Sequence, residues 1–502
     1  MVVLYVLIAL VVVGLLTGVH WYVWRRLVRD TTARGGWARR TGTAAAFALP
    51  LISVGALIAG RAGAPFPLQR ALAWPGYLWL ALLLYLTLAL LAGEAVRPLL
   101  RAWLGRGEPV DVRSADVPAA AAGAAVGGLV GAAAVPEGAA VPEGAVVSDG
   151  AGAAVVSEAE AVVDGAARTA TEAARTATDA AKTATEAART ATEAAKTTTD
   201  AAEAAGDGVA AAEAAKGGTE APGDAAPASS RRLFVARAVA VGATAVAAGT
   251  VGYGTYTVLR GPRVKRITVP LAKLPRRAHG FRIAVVSDIH LGPILGRDHT
   301  RRVVEAVNRT NPDLVAVVGD LVDGSVADLG PAAEPLRALT ARHGSYFVTG
   351  NHEYYSGAAE WVDHVRELGL RPLENERTEL PGFDLAGVND VAGESEGHGP
   401  DFGKALGDRD RSRASVLLAH QPVVIHDAVK AGVDLQLSGH THGGQLWPGT
   451  YVAELANPTA AGLERYGDTQ LYVTRGAGAW GPPVRVGAPP DVTVVELAST
   501  RA

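Results

Sequence analysis

Long apolar runs mark two parts of this chain as membrane segments. The runs are Val2–Trp24, Thr43–Gly60, Trp74–Gly93 and Ala238–Leu259. Each approaches the roughly 20 residues that a helix needs to cross about 30 Å of hydrocarbon, which predicts four transmembrane helices. No basic segment precedes the first run and arginines follow it, as after a stop-transfer helix. We therefore interpret it as a membrane helix and not as a cleaved signal peptide.

The distribution of arginines predicts how these helices are oriented. Six arginines follow the first run, two lie between the second and third runs, and three follow the third: Arg25, Arg26, Arg29, Arg34, Arg39 and Arg40; Arg61 and Arg70; Arg97, Arg101 and Arg106. Because basic residues are enriched in cytoplasmic loops, the first loop and the chain after Gly93 are predicted to be inside. The chain after Leu259 then emerges on the outer face.

The stretch "SRRLFVAR", from Ser230 to Arg237, precedes the fourth run. Its paired arginines, apolar pair and further basic residue resemble a twin-arginine export signal. Alternatively, the arginines only mark the cytoplasmic end of a membrane helix. Both interpretations place Arg231, Arg232 and Arg237 inside.

Residues 107–230 form a low-complexity segment rich in Ala, Gly, Pro, Glu and Thr. It holds almost no large apolar side chains, so it cannot bury enough surface to offset the entropy of ordering it. Within it, "ARTATEAARTATDAAKTATEAARTATEAAKTTTDAA" repeats every seven residues with basic and acidic positions that would pair on a helix. We favour a solvated, partly helical spacer. A weak coiled coil with an Ala/Thr seam is the alternative.

From residue 263 onward, short apolar runs alternate with amphipathic segments. Strands are predicted at "FRIAVVSD", "DLVAVVGD", "SYFVTGN", "SVLLAHQ", "LQLSGH", "LYVTRG" and "DVTVVEL". Helices are predicted at 300–310, 332–341 and 357–368 and in a segment ending near Ala431. This alternation is typical of α/β folds. The predicted domains are a membrane region at 1–106, the spacer at 107–230, the twin-arginine-like segment and fourth helix at 231–262, and a globular domain at 263–502.

Five of the predicted strands end in aspartate, asparagine or histidine. The ends are Asp288-Ile289-His290, Gly319-Asp320-Leu321-Val322-Asp323, Gly350-Asn351-His352-Glu353, His420, and Gly439-His440-Thr441-His442. In α/β sheets, functional groups gather beyond the carboxyl ends of the strands. One such end is unremarkable because Asp caps turns and helices. Packing does not explain why five strands end in such residues.

Composition narrows the chemistry of these residues. The chain has 502 residues, a formal net charge of −3 and no cysteine. The charge gives no indication of nucleic-acid binding. Without thiolates, any metal site must use nitrogen and oxygen ligands, which suits Mn²⁺, Fe or Zn²⁺. A two-metal site needs such donors around cations about 3.5–4 Å apart, with glycines that let the backbone approach closely.

The ordered set D-x-H, G-D-x-x-D, G-N-H-E, a lone His and G-H-x-H resembles the calcineurin-like metallophosphoesterase family, over roughly residues 265–498. "GHTHGGQ" and "RGAGAWGPPVRVGAPP" are similar to its membrane-associated bacterial branch. The resemblance implies a sandwich of two β-sheets flanked by helices. It also implies two divalent metal ions, one held by Asp288, His290 and His442 and the other by Asn351, His420 and His440, with Asp320 bridging them. His352 would protonate the leaving oxygen or stabilise developing charge, and Asp323 would orient a ligand histidine or the loop.

The resemblance further implies hydrolysis of a phosphate ester by a hydroxide that bridges the two metals. The ester is a mono-, di- or pyrophosphate, and the resemblance to this branch includes lipid-linked substrates. The chain is accordingly expected to be a multi-pass protein of the cell membrane with its catalytic domain on the outer face. A membrane sensor or scaffold that binds a phosphorylated ligand without turnover is the alternative. The intact His352 disfavours it.

Four other histidines, two arginines and one loop lie outside this set of motifs. His299, His343, His364 and His426 lie in or beside predicted helices and are expected to be surface or packing residues. Arg475 and Arg485 flank the Gly/Pro-rich tail, where they either hold substrate phosphate or are solvated. Residues 387–399 are predicted to form a long loop, in which Asn389 and Asp390 could line the cleft.

Overall fold

The computed structural model describes residues 2–105 and 226–501. The predicted spacer lies almost entirely outside these residues. The amino-terminal part forms α1 (Val2–Trp24), a π-helical turn at Arg25–Arg29, α2 (Trp37–Ala59) and α3 (Phe66–Gly105), and α4 spans Ala226–Leu259. Among the described residues, three helical segments are long and apolar enough to cross a membrane: Trp37–Ala59, Phe66–Leu100 and Arg231–Leu259. Helix α1 coincides with the first apolar run.

Charged residues gather at one end of the bundle formed by α1–α4. Arg26 Nε lies 2.9 Å from Glu94 Oε1, and Arg97 Nη1 lies 3.2 Å from the same oxygen. Arg237 Nε donates to the Thr31 carbonyl at 3.1 Å. The twin-arginine-like stretch lies within α4, so its arginines belong to this end. Its use as an export signal stays a prediction.

The opposite end of the bundle contacts the globular domain. Arg61, in the loop between α2 and α3, places its guanidinium carbon 5.9 Å from the centre of the Tyr355 ring. Phe66, at the start of α3, packs against the helix-covered face of the first sheet. The membrane region and the globular domain therefore share packed side chains.

The globular domain contains twelve strands among the described residues. The strands are β1 (Arg263–Leu271), β2 (Phe281–Val286), β3 (Leu314–Val318), β4 (Ser345–Val348), β5 (Arg371–Pro372), β6 (Glu376–Leu380), β7 (Phe383–Gly387), β8 (Ala414–Leu418), β9 (Leu435–Ser438), β10 (Gly462–Tyr466), β11 (Thr469–Val473) and β12 (Asp491–Ser499). The helices are α5 (Arg297–Asn308), α6 (Val326–Ala333), α7 (Asn351–Ser356), α8 (Ala358–Glu367), α9 (Phe402–Leu406), α10 (Ile425–Lys430) and α11 (Gly449–Ala456).

Two six-stranded sheets face each other, as the fold prediction states. Their orders are β1-β12-β2-β3-β4-β5 and β10-β11-β9-β8-β7-β6. Four consecutive strands of each sheet are parallel to one another, β2 to β5 in one sheet and β7, β8, β9 and β11 in the other. Strand β3 shows why the runs are continuously apolar. Leu314, Ala316 and Val318 enter the core between the sheets, whereas Val315 and Val317 face the helices.

The predicted strands are confirmed, but one helix prediction is partly wrong. The segment predicted as a helix at 332–341 holds only the end of α6, followed by a 3₁₀ turn at Glu334–Ala338. Helix α6 starts earlier because the Ser325 side chain accepts from the Asp328 N–H and caps it. Strands β1, β5, β6, β7 and β10 were not predicted. Most side chains of β1, β5, β6 and β10 are exposed or half-buried and form no apolar run, whereas the short strand β7 is fully buried.

Candidate metal centre

Five strands deliver the candidate ligands to one edge of the sandwich. Strand β2 leads to Asp288 and His290, β3 to Asp320, β4 to Asn351, β8 to His420, and β9 to His440 and His442. Because β2, β3 and β4 are parallel, and β8 and β9 are parallel, their carboxyl ends point the same way within each sheet. Side chains that are far apart in sequence thus meet in one place.

Asp288, His290 and His442 form the first group. The Nε2 atoms of His290 and His442 are 3.0 Å apart, and His442 Nε2 is 3.3 Å from Asp288 Oδ1. All three residues are buried, and each offers one ligand atom within 4.8 Å of the others. These are the three residues expected to hold one ion.

Asp320, His420 and His440 form the second group, which Asn351 joins. Asp320 Oδ2 lies 3.2 Å from His420 Nε2, and Asn351 Oδ1 lies 3.0 Å from His440 Nδ1. Asp320 Oδ2 also lies 3.7 Å from His290 Nε2 in the first group. A single carboxylate oxygen of Asp320 therefore faces both groups.

The hydrogen bonds of His420 test whether this pocket suits a cation. His420 Nδ1 lies 2.9 Å from the Val318 carbonyl, which can only accept, so Nδ1 carries the proton. In the neutral ring, Nε2 then presents a lone pair to the Asp320 carboxylate inside a buried pocket. Two acceptors at this distance need a positive charge between them. Burial opposes protonation, but Asp320 and Asp288 raise the pKa of His420 well above its usual value. The donors fit a divalent metal held by nitrogen and oxygen.

Asp323 connects the first group to His352. Its Oδ1 lies 2.8 Å from His290 Nδ1 and 2.8 Å from His352 Nδ1. Burial opposes ionisation of this carboxyl, but His290 and His352 hold its pKa below the usual range. With Nδ1 engaged, His352 turns Nε2 toward the centre, 4.0 Å from Asp320 Oδ2. The side chain of His352 is 14% exposed, so a ligand in the cleft can reach it.

The backbone at the candidate ligands adopts a conformation that side chains rarely take. Among the described residues, eight non-glycine residues have positive φ, and five of these are candidate ligands: Asp288, His290, Asp320, His440 and His442. Such φ values cost energy in a residue with a Cβ and persist only where surrounding contacts impose them. The concentration of this strain at one pocket is typical of a functional site.

The similarity of this chain to known proteins covers the part of the sequence that holds the candidate ligands. The sequence profile of the calcineurin-like phosphoesterase family matches residues 281–444. A protein of Danio rerio, named "Transmembrane protein with metallophosphoesterase domain", is 41% identical over 49% of this chain and 59% of its own length. A metallophosphoesterase of Helicobacter pylori is 38% identical over 49% of this chain and 66% of its own length. A metallophosphoesterase of Aquifex aeolicus is 36% identical over 47% of this chain and 91% of its own length.

The chain belongs to the calcineurin-like phosphoesterase family. Coverage of the Aquifex aeolicus protein decides this point, because nearly all of that protein aligns with the present chain. The chain spans about three-fifths of the Danio rerio relative and two-thirds of the Helicobacter pylori one.

Glu353 supports the metallophosphoesterase centre in a way that the sequence did not predict. It is fully buried, and its carboxylate accepts from the backbone N–H groups of Asp320 at 3.0 Å, Leu321 at 2.8 Å and Gly350 at 2.6 Å. Burial, followed by the charge of Asp320, raises the pKa of Glu353 to about 7. Glu353 thereby joins the loops after β3 and β4. In the sequence, the only indication of this role was the position of Glu353 at the end of the G-N-H-E motif.

The Gly/Pro-rich tail supports the opposite side of the centre. Ala477 N–H donates to the Ser287 carbonyl at 2.8 Å, and Gly478 N–H donates to the Asp288 carbonyl at 2.8 Å. A Cβ at Gly476, which has φ of 78°, would lie 2.6 Å from the Asp288 Cβ. Only glycine lets the tail approach the first ligand loop so closely.

Arg485 is a structural residue of this tail. It is 1% exposed, and its guanidinium donates to the carbonyls of Gly478, at 2.7 and 2.9 Å, and His442, at 2.7 Å. It therefore holds the loop that carries His442 and is not available to substrate. Burial lowers its pKa to about 10.

The remaining predictions concern the loop at 387–399 and the histidines outside the centre. Asp390 is buried, caps a 3₁₀ helix at Val391–Glu396 and accepts from Gln421 Nε2 at 2.9 Å, next to His420. The predicted loop at 387–399 therefore contains an ordered turn. Of the histidines expected to be packing or surface residues, His299 is buried in α5 and His343 lies 5.3 Å from the Phe281 ring.

Proposed function

We propose that this chain hydrolyses a phosphate ester at a dinuclear metal centre. Asp288, His290 and His442 would hold one ion, and Asn351, His420 and His440 the other. The observation that carries the proposal is the position of Asp320, whose Oδ2 lies 3.7 Å from His290 Nε2 and 3.2 Å from His420 Nε2. A carboxylate shared by two groups of ligands suits a site in which two metal ions act on one substrate.

Two divalent cations in this pocket would lower the pKa of a water and offset negative charge on the phosphoryl oxygens. The side chains provide the rest of the chemistry. Asp323 fixes the tautomer of His352 by accepting from Nδ1, which leaves Nε2 at the cleft. When a proton is also present on Nε2, His352 can donate it to the leaving oxygen or stabilise developing charge, while Nδ1–H stays on the Asp323 carboxylate.

We infer that the catalytic domain faces outward from a multi-pass membrane protein. The charged residues Arg26, Arg97 and Arg237 lie at one end of the bundle. The loop that carries Arg61 lies at the other, against the catalytic domain. The positive-inside rule assigns the charged end to the cytoplasm. Protease added to intact cells should therefore digest the catalytic domain, and full protection would reverse the orientation.

The substrate that suits this arrangement is a lipid-linked or envelope phosphate, and a phosphodiester is included in that class. Tyr355 lies beside His352, with ring centres 5.6 Å apart, and also beside Arg61 of the membrane region. Side chains of the bundle thus border the cleft. An amphiphile whose phosphate reaches the metals would keep its apolar part near the bundle.

Activity of the solubilised full chain tests the proposal. Hydrolysis of aryl monoesters, aryl diesters and nucleotide-sugar lipids should depend on an added metal such as Mn²⁺. It should be lost on Asp320→Ala, and kcat should fall on His352→Ala by about 10²–10⁴-fold, the usual size of general acid catalysis. Activity that survives both changes unaltered would refute the assignment. Tight binding of phosphorylated ligand without product would instead favour the sensor or scaffold.

A further inference from the structure

Helix α11 exposes an apolar face immediately after the second pair of candidate metal ligands. Tyr451 is 61% exposed, Val452 67% and Leu455 90%, and Trp447, just before the helix, is 49% exposed. At 3.6 residues per turn, Tyr451, Val452 and Leu455 share one side of the helix. Glu454, the one charged residue of α11, lies on its flank. Adjoining large apolar side chains of this kind are not left in water without a reason.

The segment that leads into α11 is attached to the membrane bundle. The Tyr85 hydroxyl, on α3, donates to the Trp447 carbonyl at 3.0 Å. Leu446 and Val486 pack against a cluster that includes Leu83 and Leu86 of α3. The apolar face of α11 therefore continues a surface that already contacts membrane helices.

Distances along the helices place this attachment at membrane depth. From Arg97, at the charged end, to Tyr85 is twelve residues, or about 18 Å along α3. From Arg237 to Gly254 of α4, whose carbonyl accepts from the Arg485 N–H at 3.2 Å, is seventeen residues, or roughly 26 Å. Both values are smaller than the roughly 30 Å of a hydrocarbon layer that begins at the charged end.

The backbone of this segment is suited to such a depth. In lipid, each N–H and C=O must find a protein partner. Gly449 N–H donates to the Leu446 carbonyl at 2.6 Å, Tyr451 N–H to Pro448 at 3.1 Å, and Asn457 N–H to Ala453 at 3.0 Å. The Trp447 carbonyl has Tyr85. Interfacial helices bury their apolar face about 5–10 Å into the boundary between headgroups and acyl chains.

We propose that α11 inserts its apolar face, Tyr451, Val452 and Leu455, into the outer leaflet of the bilayer. This inference rests on the proposed membrane orientation of the bundle. Helix α11 also packs on the loop that carries His442, where Thr450 Oγ1 donates to the Gly443 carbonyl at 3.1 Å. Insertion of α11 therefore holds the metal centre at the membrane surface, where a phosphate carried by a lipid can reach it.

Site-specific labelling of the full chain tests this insertion. Because the chain has no native cysteine, a thiol-reactive label attaches only at the introduced cysteine. Leu455→Cys and, separately, Val452→Cys are labelled with a polarity-sensitive fluorophore and reconstituted in phosphatidylcholine–phosphatidylglycerol vesicles. Both positions are exposed, so the substitutions leave the packing intact. Val246→Cys, in α4 and 58% exposed, is the transmembrane control. Ser412→Cys, in the exposed turn that precedes β8 at the end away from the metal centre, is the aqueous control.

The labels at 455 and 452 are expected to show blue-shifted emission, quenching by lipids with a spin label on the acyl chain, and protection from iodide. The label at 412 should show the reverse. If the 455 and 452 labels behave like the 412 label while the 246 label is lipid-quenched, α11 is not inserted and the membrane assignment stands. If the 246 label also escapes lipid quenching, both assignments fail. A blue shift at 455 without lipid quenching would mean that protein covers α11, which overturns the proposal.

Discussion

Replacing Asp323 with asparagine is expected to weaken metal binding and turnover together, because one oxygen of this carboxylate serves two histidines. Asp323 Oδ1 lies 2.8 Å from Nδ1 of His290, a candidate ligand, and 2.8 Å from Nδ1 of His352, the candidate acid. Asparagine keeps the shape and one acceptor oxygen but removes the charge. The two hydrogen bonds can then persist without ionic assistance.

The size of the effect follows from that change in hydrogen-bond type. A hydrogen bond to a charged group contributes about 1.5–3 kcal/mol and a neutral one about 0.5–1.5 kcal/mol. The difference between the two types is about 1–1.5 kcal/mol for each bond, and the side chain of Asp323 is only 22% exposed. That corresponds to roughly 5- to 13-fold in the dissociation constant of the metal and a similar factor in kcat.

The assay measures these two quantities separately in the solubilised full chain. The metal dissociation constant is obtained by competition with a chelating dye, and kcat is measured at saturating metal with an aryl phosphodiester. His352→Asn should reduce kcat alone, and Asp363→Asn, a matched change at a carboxylate 75% exposed on α8, should alter neither. A folded Asp323→Asn chain with unchanged metal affinity and kcat would refute the reasoning. A fall in kcat alone would show that Asp323 supports only His352.

Three further predictions concern stability. Glu353→Ala leaves three buried N–H groups unpaired and should lower the free energy of unfolding by about 3 kcal/mol or more. Glu353→Gln should lower it less. Denaturant titration measures both variants, and stabilities equal to that of the unchanged chain would contradict the role given to Glu353. Burial, followed by the charge of Arg302, lowers the pKa of His299 to about 3. Below pH 6.5 the unfolded chain therefore binds a proton that the folded chain does not, and stability should fall by about 1.4 kcal/mol per pH unit. His299→Leu should remove about 2 kcal/mol of the loss between pH 7 and 5, and an unchanged slope would exclude His299 as its source. Removal of metal by a chelator should lower the unfolding temperature, because bound metal stabilises the folded chain by about 2.7 kcal/mol at a hundred times its dissociation constant. A metal-independent melting curve would contradict binding to the folded state.

The candidate ligands could be predicted because their chemistry is local in sequence. Each lies directly after an apolar strand, and the parallel arrangement of β2, β3 and β4 brings such positions to one edge whatever the details of packing. His290 and His442 follow strands of different sheets and are 152 residues apart, so their contact depends on how the two sheets face each other. The grouping of ligands was available from the family resemblance alone.

The supporting residues could not be predicted, because their roles depend on distances between loops. Arg485 follows a Gly/Pro-rich stretch that fits a solvated or phosphate-binding arginine equally well. Only the fold shows its guanidinium buried against the carbonyls of His442 and Gly478. In the same way, "GTYVAELA" contains no long apolar run, and the exposure of its apolar face becomes evident only when α11 is seen on the His442 loop.

The strained backbone of the ligands explains why so many groups surround them. Five candidate ligands have positive φ, at about 1 kcal/mol or more each, which together is comparable to the whole free energy of folding of a typical domain. Such a cost is offset only if neighbouring contacts impose the geometry. Glu353 fixes the Asp320 loop through backbone N–H groups, the tail fixes Asp288 through Gly478, and Arg485 fixes His442. Val484 and Val486, on either side of Arg485, pack against the membrane bundle, so the bundle contributes to the position of a candidate metal ligand.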